Sequence, residues 1–280
     1  MSPRKQSRAE DGFAQRVPPV LRQRRSIRSL IEPAEAVAKE SNRIFSARLL
    51  EFETSGEYYS LPRYTFIGPR GGGDYLRIGM FAGIHGDEIA GAIGAVRLLE
   101  MLHGNPKIAR GYELFIYPVC NPTGYEDNTR WSREGVDLNR FFWKNSPYPE
   151  VRQLEQELGG LNFDGLISFH ADDTSDGLYG FASGPALSRY VLQPALRDAS
   201  VVLPLNESGE IDHFPARKGI IVDGYDGMLT APPKQHPRPF EVVFETPQLA
   251  PLDAQVRAIQ IAVKAILEQY QVLISQAENI

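Results

Sequence analysis

Apolar runs of two kinds take turns along this chain, and no other feature narrows its fold as far. Short continuous runs, "YLRIGMFAGI" (75–84), "YELFIYPV" (112–119), "DGLISFH" (164–170), "GIIVDG" (219–224) and "FEVVFET" (240–246), have the length and composition of buried strands. Between them the apolar residues follow helical spacing. From Asp87 to about His103 they are Ile89, Ala92, Ile93, Val96, Leu99 and Met101, with Gly104 as the stop. Further helices are predicted near Glu150 to Leu158, from Pro185 to Asp198 and from Leu252 to Ser275. Upstream, "RIFSARLLEFE" (43–53) and "LPRYTFIG" (61–68) alternate as strands do, and Asn121 to Asn145 reads as one long polar loop. Strands in alternation with helices build a mainly parallel sheet covered on both faces, because parallel strands need crossover connections.

The 280 residues, 42% of them hydrophobic, suit one globular domain, placed at 41–280. Residues 1–40 read as a basic N-terminal arm, a solvated or partly helical extension. Arg4, Lys5, Arg8, Arg16, Arg22, Arg24, Arg25 and Arg28 crowd its first 30 positions against Glu10 and Asp11 alone. The net charge of -5 therefore leaves the remainder acidic, which argues against a general nucleic-acid binder. No secretory signal and no membrane-spanning apolar run is visible, and the lone Cys120 allows no internal disulfide. A cytoplasmic location is the expectation.

Functional groups in such sheets gather beyond the carboxyl ends of the strands. His85, Asn121, His170 and Glu245 all stand at or just past a predicted strand end. His85 and Glu88, three apart at a helix start, point to one side and suit a shared metal ion; read alone, each also serves as an ordinary strand-end or helix-start residue. His170 ends a buried strand and is placed for the same ion, with Asp172 and Asp173 as rival ligands or orienting partners. Two nitrogens and one carboxylate oxygen would leave a fourth position for water, as in a catalytic zinc site. In the polar loop, Arg140 offers a planar fork for a carboxylate, Asn139 a further donor, and Arg130 a positive charge for a developing oxyanion. The plain alternative pairs these arginines with Asp127, Glu134 or Asp137 at the surface. Glu245, followed by the strand-breaking Pro247, is a general base only if a metal lies beside it.

Taken in chain order, H-G-D-E at 85–88, N-P-T-G at 121–124, Arg130, G-V-D-L-N-R at 135–140, His170 and F-E-T-P at 244–247 resemble the zinc carboxypeptidase superfamily over roughly Tyr75 to Thr246. The resemblance implies a carboxypeptidase-like α/β fold with a mixed, mainly parallel eight-stranded sheet flanked by helices. It also implies one zinc ion per chain held by His85, Glu88 and His170, Glu245 as general base, and Arg130 polarising the scissile carbonyl. Asn139 and Arg140 then grip the terminal carboxylate, and Tyr225 stands where the family has its substrate-capping tyrosine. The short separation of Glu88 from His170 is similar to the compact branch. That branch holds bacterial peptidoglycan-peptide amidases and the succinylglutamate desuccinylase and aspartoacylase group. "NRFF" lacks the second asparagine of the peptidase "NRNF", which leaves peptide and acyl-amino acid both open as substrates.

The implied activity is a zinc-dependent metallocarboxypeptidase-type hydrolysis of the amide next to a carboxylate-bearing terminal amino acid of a short peptide. The alternatives are an N-acyl amino acid deacylase and a non-catalytic carboxylate-binding protein. Mn, Co or Fe also suit the N and O ligand set. Lys234, His236 and Arg238 form a basic group that reads as a solvated loop or as a selector of acidic side chains. Neither a G-x-S-x-G elbow nor a strand-following G-x-G-x-x-G is present.

Overall fold

The computed structural model describes residues 24–54, 56–221 and 228–277. Helix α1 (Ile27–Glu40) precedes a long hairpin of β1 (Ile44–Thr54) and β2 (Glu57–Ile67). Strand β3 (Leu76–Ala82), helix α2 (Ile89–Gly104) and strand β4 (Tyr112–Tyr117) form a parallel crossover. The short α3 (Pro122–Asp127) and α4 (Pro149–Gly160) lead to β5 (Gly165–Asp172). After β6 (Tyr179–Ala182), α5 (Pro185–Leu187) runs through one π-helical turn into α6 (Gln193–Ala199). Three small strands follow, β7 (Glu210–Ile211), β8 (Phe214–Arg217) and β9 (Ile220–Ile221), before β10 (Phe240–Pro247) and the closing helix α7 (Leu252–Ala277).

All strands among the described residues join one sheet in the order β1-β2-β4-β3-β5-β10-β6-β9-β8-β7. The expected mixed, mainly parallel eight-stranded sheet is thus corrected to a mixed sheet of ten strands, parallel at its centre (β4-β3-β5-β10), antiparallel through β1-β2-β4 at one edge, and antiparallel toward the other edge except for the parallel β6-β9 pair. Tight turns account for the additional strands. Asp212 and His213 between β7 and β8, and Lys218 and Gly219 between β8 and β9, all have positive φ, the geometry of two-residue hairpin turns. Such turns need no crossover helix, so no helical rhythm announces them.

Residue alternation divides the strands between two apolar layers. Ile78, Met80 and Ala82 of β3 face a core shared with α1, α2, α6 and α7, while Phe81 faces a second core under α4, with Leu154, Leu158 and Phe163. Strand β5 is buried over seven consecutive residues, as expected of a parallel strand covered on both sides. Helix α2 seats close to its neighbours because Gly91 and Gly94 carry no side chain. A Cβ would stand 3.1 Å from Phe169 at the first and 3.1 Å from Ile259 at the second.

Within the stretch assigned to the basic arm, α1 is capped by Ser26, whose Oγ accepts from Ser29 N at 3.1 Å, and it buries Leu30 and Ala34. Arg4, Lys5, Arg8, Arg16 and Arg22 lie outside the described residues. No described helix is long and apolar enough to cross a membrane.

From β3 the chain crosses over α2 to β4 on one side, then returns over α4 to β5 on the other. The carboxyl ends of β3 and β5 therefore flank the point where the winding reverses, the place where sheets of this type open a crevice.

Candidate active site

The crevice is set by how the chain leaves β3. Gly83 adopts a positive φ of 61° and its carbonyl accepts from Asn121 N at 2.8 Å, so the loop 83–88 stays tied to the segment beyond β4. The Asn121 side chain then caps α3, accepting from Gly124 N at 2.9 Å and donating to the Ile84 carbonyl at 3.3 Å. A Cβ at Gly86 would lie 1.9 Å from the Gly124 carbonyl carbon and 2.2 Å from Tyr125 N. Only glycine lets the loop rest on the α3 backbone. The expected uninterrupted loop 121–145 is corrected accordingly: Asn121 as cap and Pro122 at the first helical position start α3, and Leu138–Arg140 form a 3-10 turn.

Helix α2 begins at Ile89, two residues later than the periodicity suggested, and its cap residue Glu88 makes no capping bond. The carboxylate serves the histidines instead. Its Oε1 lies 2.5 Å from His85 Nδ1 and its Oε2 lies 2.9 Å from His170 Nδ1, with Ala171 N donating to Oε2 at 3.1 Å. The ligand atoms of His85, Glu88 and His170 lie within 4.8 Å of one another, and all three residues are buried, none more than 7% exposed. The rival carboxylates Asp172 and Asp173 stand outside this cluster. Asp172 instead accepts from Thr174 N at 2.7 Å and from the Tyr179 hydroxyl at 2.9 Å.

Asp137 is the residue that sequence reasoning undervalued. Its Oδ2 accepts from Arg130 Nε at 3.2 Å and Nη2 at 3.1 Å, while its Oδ1 lies 3.4 Å from His85 Nε2. The surface pairing of Arg130 with Asp137 holds in part, but the same carboxylate also backs the imidazole of the cluster. Arg130 Nη1 in turn reaches to 3.2 Å from His85 Nδ1 and 3.6 Å from Glu88 Oε1.

Electrostatics follow from this crowding. Burial alone would raise Glu88, but the imidazoles of His170 and His85 hold its carboxyl well below the usual range. Burial would likewise lower His85, yet Glu88 and then Asp137 raise its imidazole. For Asp137, burial is outweighed by His85, Arg130 and Arg140, and the carboxyl falls. Glu245 moves the opposite way: burial pushes its carboxyl well above the usual range, Glu88 and Asp172 adding to the rise while His170 opposes it. Cys120 is no rival nucleophile, since burial pushes its thiol up to about 12.

One cavity of about 490 Å³ brings His85, Glu88, His170, Glu245, Arg130, Asn139 and Arg140 together. Asn139 is buried, with its Oδ1 accepting from Leu229 N at 2.8 Å. Tyr225 lies outside the described residues. Of the basic group, Lys234 and His236 are exposed. Arg238 lines a side cavity of about 220 Å³ that shares Phe181, Met228 and Val243 with the main one. Its Nη2 donates to Glu241 Oε1 at 3.4 Å.

The donor set fits a divalent ion. Two imidazole nitrogens and a carboxylate converge in a buried pocket, and the far nitrogen of one imidazole faces a carboxylate, the arrangement that orients a metal-binding histidine.

Residues 75–200 match the family described as the succinylglutamate desuccinylase/aspartoacylase catalytic domain. No curated protein matches the chain. Among solved structures, a presumptive metallopeptidase from Shewanella amazonensis SB2B aligns at a TM-score of 0.72 and 22% identity, over 86% of this chain and 92% of its own. A metallo-carboxypeptidase from Burkholderia cenocepacia aligns at 0.69 and 14%, over 89% and 70%. An aspartoacylase family protein from Mesorhizobium loti MAFF303099 aligns at 0.56 and 18%, over 81% and 68%. At these identities the likeness is one of fold.

Proposed function

We propose that the chain is a member of the zinc carboxypeptidase-like superfamily, a reading supported by the family match over residues 75–200, and that it is a zinc-dependent hydrolase. It cleaves the amide bond next to a carboxylate-bearing terminal amino acid of a short peptide. The observation that carries this reading is the His85, Glu88 and His170 cluster opening into the same cavity as Glu245, Arg130, Asn139 and Arg140.

His85, Glu88 and His170 would hold the ion. Zinc bound there supplies a Lewis acid that polarises a carbonyl and brings the pKa of water down toward about 7. Glu245, which lines the same cavity as the cluster, takes the proton of the attacking water and returns it to the leaving nitrogen. Arg130, tethered by Asp137, donates to the carbonyl oxygen as charge develops there. Asn139 and Arg140 bind the substrate's free carboxylate and so place the scissile amide, converting binding into orientation.

A second reading, hydrolysis of an N-acyl amino acid, is favoured by the family match over residues 75–200. The residue roles are unchanged; only the acyl group differs.

Metal analysis of the purified protein, paired with short peptides and with N-succinyl and N-acetyl amino acids as substrates, tests both. We expect one zinc per chain and faster turnover of the peptides. Preferred turnover of the acyl amino acids would select the second reading. Bound zinc without hydrolysis of either set would leave a carboxylate-binding protein.

A further inference from the structure

Arg25 stands just ahead of α1, and its side chain crosses to the active-site loop. Its Nη1 donates to the Gly86 carbonyl at 3.1 Å and its Nη2 donates to Asn128 Oδ1. Its backbone N–H donates to the Glu126 carbonyl at 2.9 Å, and its guanidinium lies 5.6 Å from the centre of the Tyr125 ring. Gly86 is the peptide between His85 and the Asp87–Glu88 pair. Asn128 ends α3 in the left-handed conformation, two residues before Arg130. One planar fork thus spans the loop that bears two of the cluster's ligands and the loop that bears Arg130.

We propose that Arg25 is a positioning residue of the metal site. By fixing the Gly86 peptide against the end of α3, it sets the distance between the His85 and Glu88 side chains and Arg130. The geometry requires a fork: two acceptors on different loops are met at once by one rigid plane, which a lysine ammonium on a flexible stem does not reproduce. Contact between Gly86 and the α3 backbone leaves no slack for the loop to find another seat. The N-terminal segment accordingly contributes to the catalytic centre as well as to packing.

Arg24 supplies the internal comparison. It binds both oxygens of Glu57 at 2.7 and 2.9 Å and approaches Asp127 to 3.4 Å, so it anchors the same segment without touching Gly86. The inference rests on His85, Glu88 and His170 being the metal site.

The test is the zinc dissociation constant of the full chain, measured by chelator competition, with apo-protein melting and kcat and KM followed alongside. Groups that orient metal ligands typically contribute 10- to 100-fold in affinity. Arg25→Gln is expected to weaken zinc binding about 10-fold or more and to lower kcat more than it raises KM. Arg25→Lys should recover only part of either, and Arg24→Gln should keep wild-type affinity. Wild-type zinc affinity in Arg25→Gln overturns the proposal, as does an equal loss in Arg24→Gln. Should Arg25→Gln not fold, Asn128→Gly keeps the left-handed backbone, removes one of the two acceptors and is judged by the same outcomes. Absence of zinc binding in the wild type would overturn the metal-site reading itself, together with this inference.

Discussion

His170 and Glu245 are register partners on the adjacent parallel strands β5 and β10, so their side chains leave the sheet on the same side and enter one cavity. The carboxylate stands beside the cluster without being one of its ligand atoms. Replacing Glu245 by Gln keeps its shape and removes its proton affinity. We expect Glu245→Gln to keep its metal content while turnover falls about 10²- to 10⁴-fold. Near wild-type turnover would remove Glu245 from the role of base.

Asp137 joins two parts of the site, since it receives Arg130 on one oxygen and faces His85 Nε2 with the other. Asp137→Ala frees the imidazole to rotate and lets Arg130 swing away. Zinc affinity should drop about 10- to 100-fold in chelator competition, with a further loss of kcat beyond what added zinc restores. If saturating zinc returns full activity, the tie to Arg130 has no catalytic consequence.

Gly86 has no room for a methyl group against Gly124 and Tyr125. Gly86→Ala forces the loop off α3, at a cost of about 1–3 kcal/mol in urea unfolding, and it displaces His85 from Glu88. Gly104, where an added Cβ would meet nothing within 4 Å, serves as the control. Gly104→Ala should leave both stability and zinc binding close to wild type. Equal behaviour of the two variants would contradict the packing described for the loop.

Acid stability reports on Glu57. Bonds from the Tyr59 hydroxyl, then Arg24 and Arg133, hold its carboxyl down to about 2 from an ordinary value of 4.5. A carboxyl depressed in the folded state binds its proton later than in the unfolded chain. Its contribution is therefore complete above the unfolded value and is lost as pH falls toward about 2. Melting temperatures taken from pH 6 to pH 2 should fall more steeply for the wild type than for Glu57→Gln. Parallel curves would mean that these bonds do not couple to folding.

Much of the site is legible in the sequence. His85, Glu88, His170 and Glu245 each follow a recognisable strand, and strand ends in a parallel sheet share one rim. Asp137 is harder to read because its importance lies in two partners, Arg130 and His85, that come from different segments. Read singly, Glu88, Asp172 and Asp173 are equal candidates, since all three flank a suitable histidine in the chain, and only the ordered set of motifs favours Glu88. Strands β7 and β8 escape because two- to four-residue strands have no periodicity to detect, whereas β9 falls within the predicted strand 219–224. Arg25 looks like one more charge in a basic stretch.

Periodicity, caps and strand-end positions were determined by the sequence alone, because they are local: each depends on a few neighbouring residues and the backbone geometry they prefer. What the tertiary structure decided is which strands lie side by side and in what register. That placement pairs Glu245 with His170, turns Glu88 toward both imidazoles and sets Asp137 behind His85. Such contacts join residues up to 82 positions apart, as Glu88 and His170 are. Packing of whole elements brings them together, and no short window of sequence carries that information.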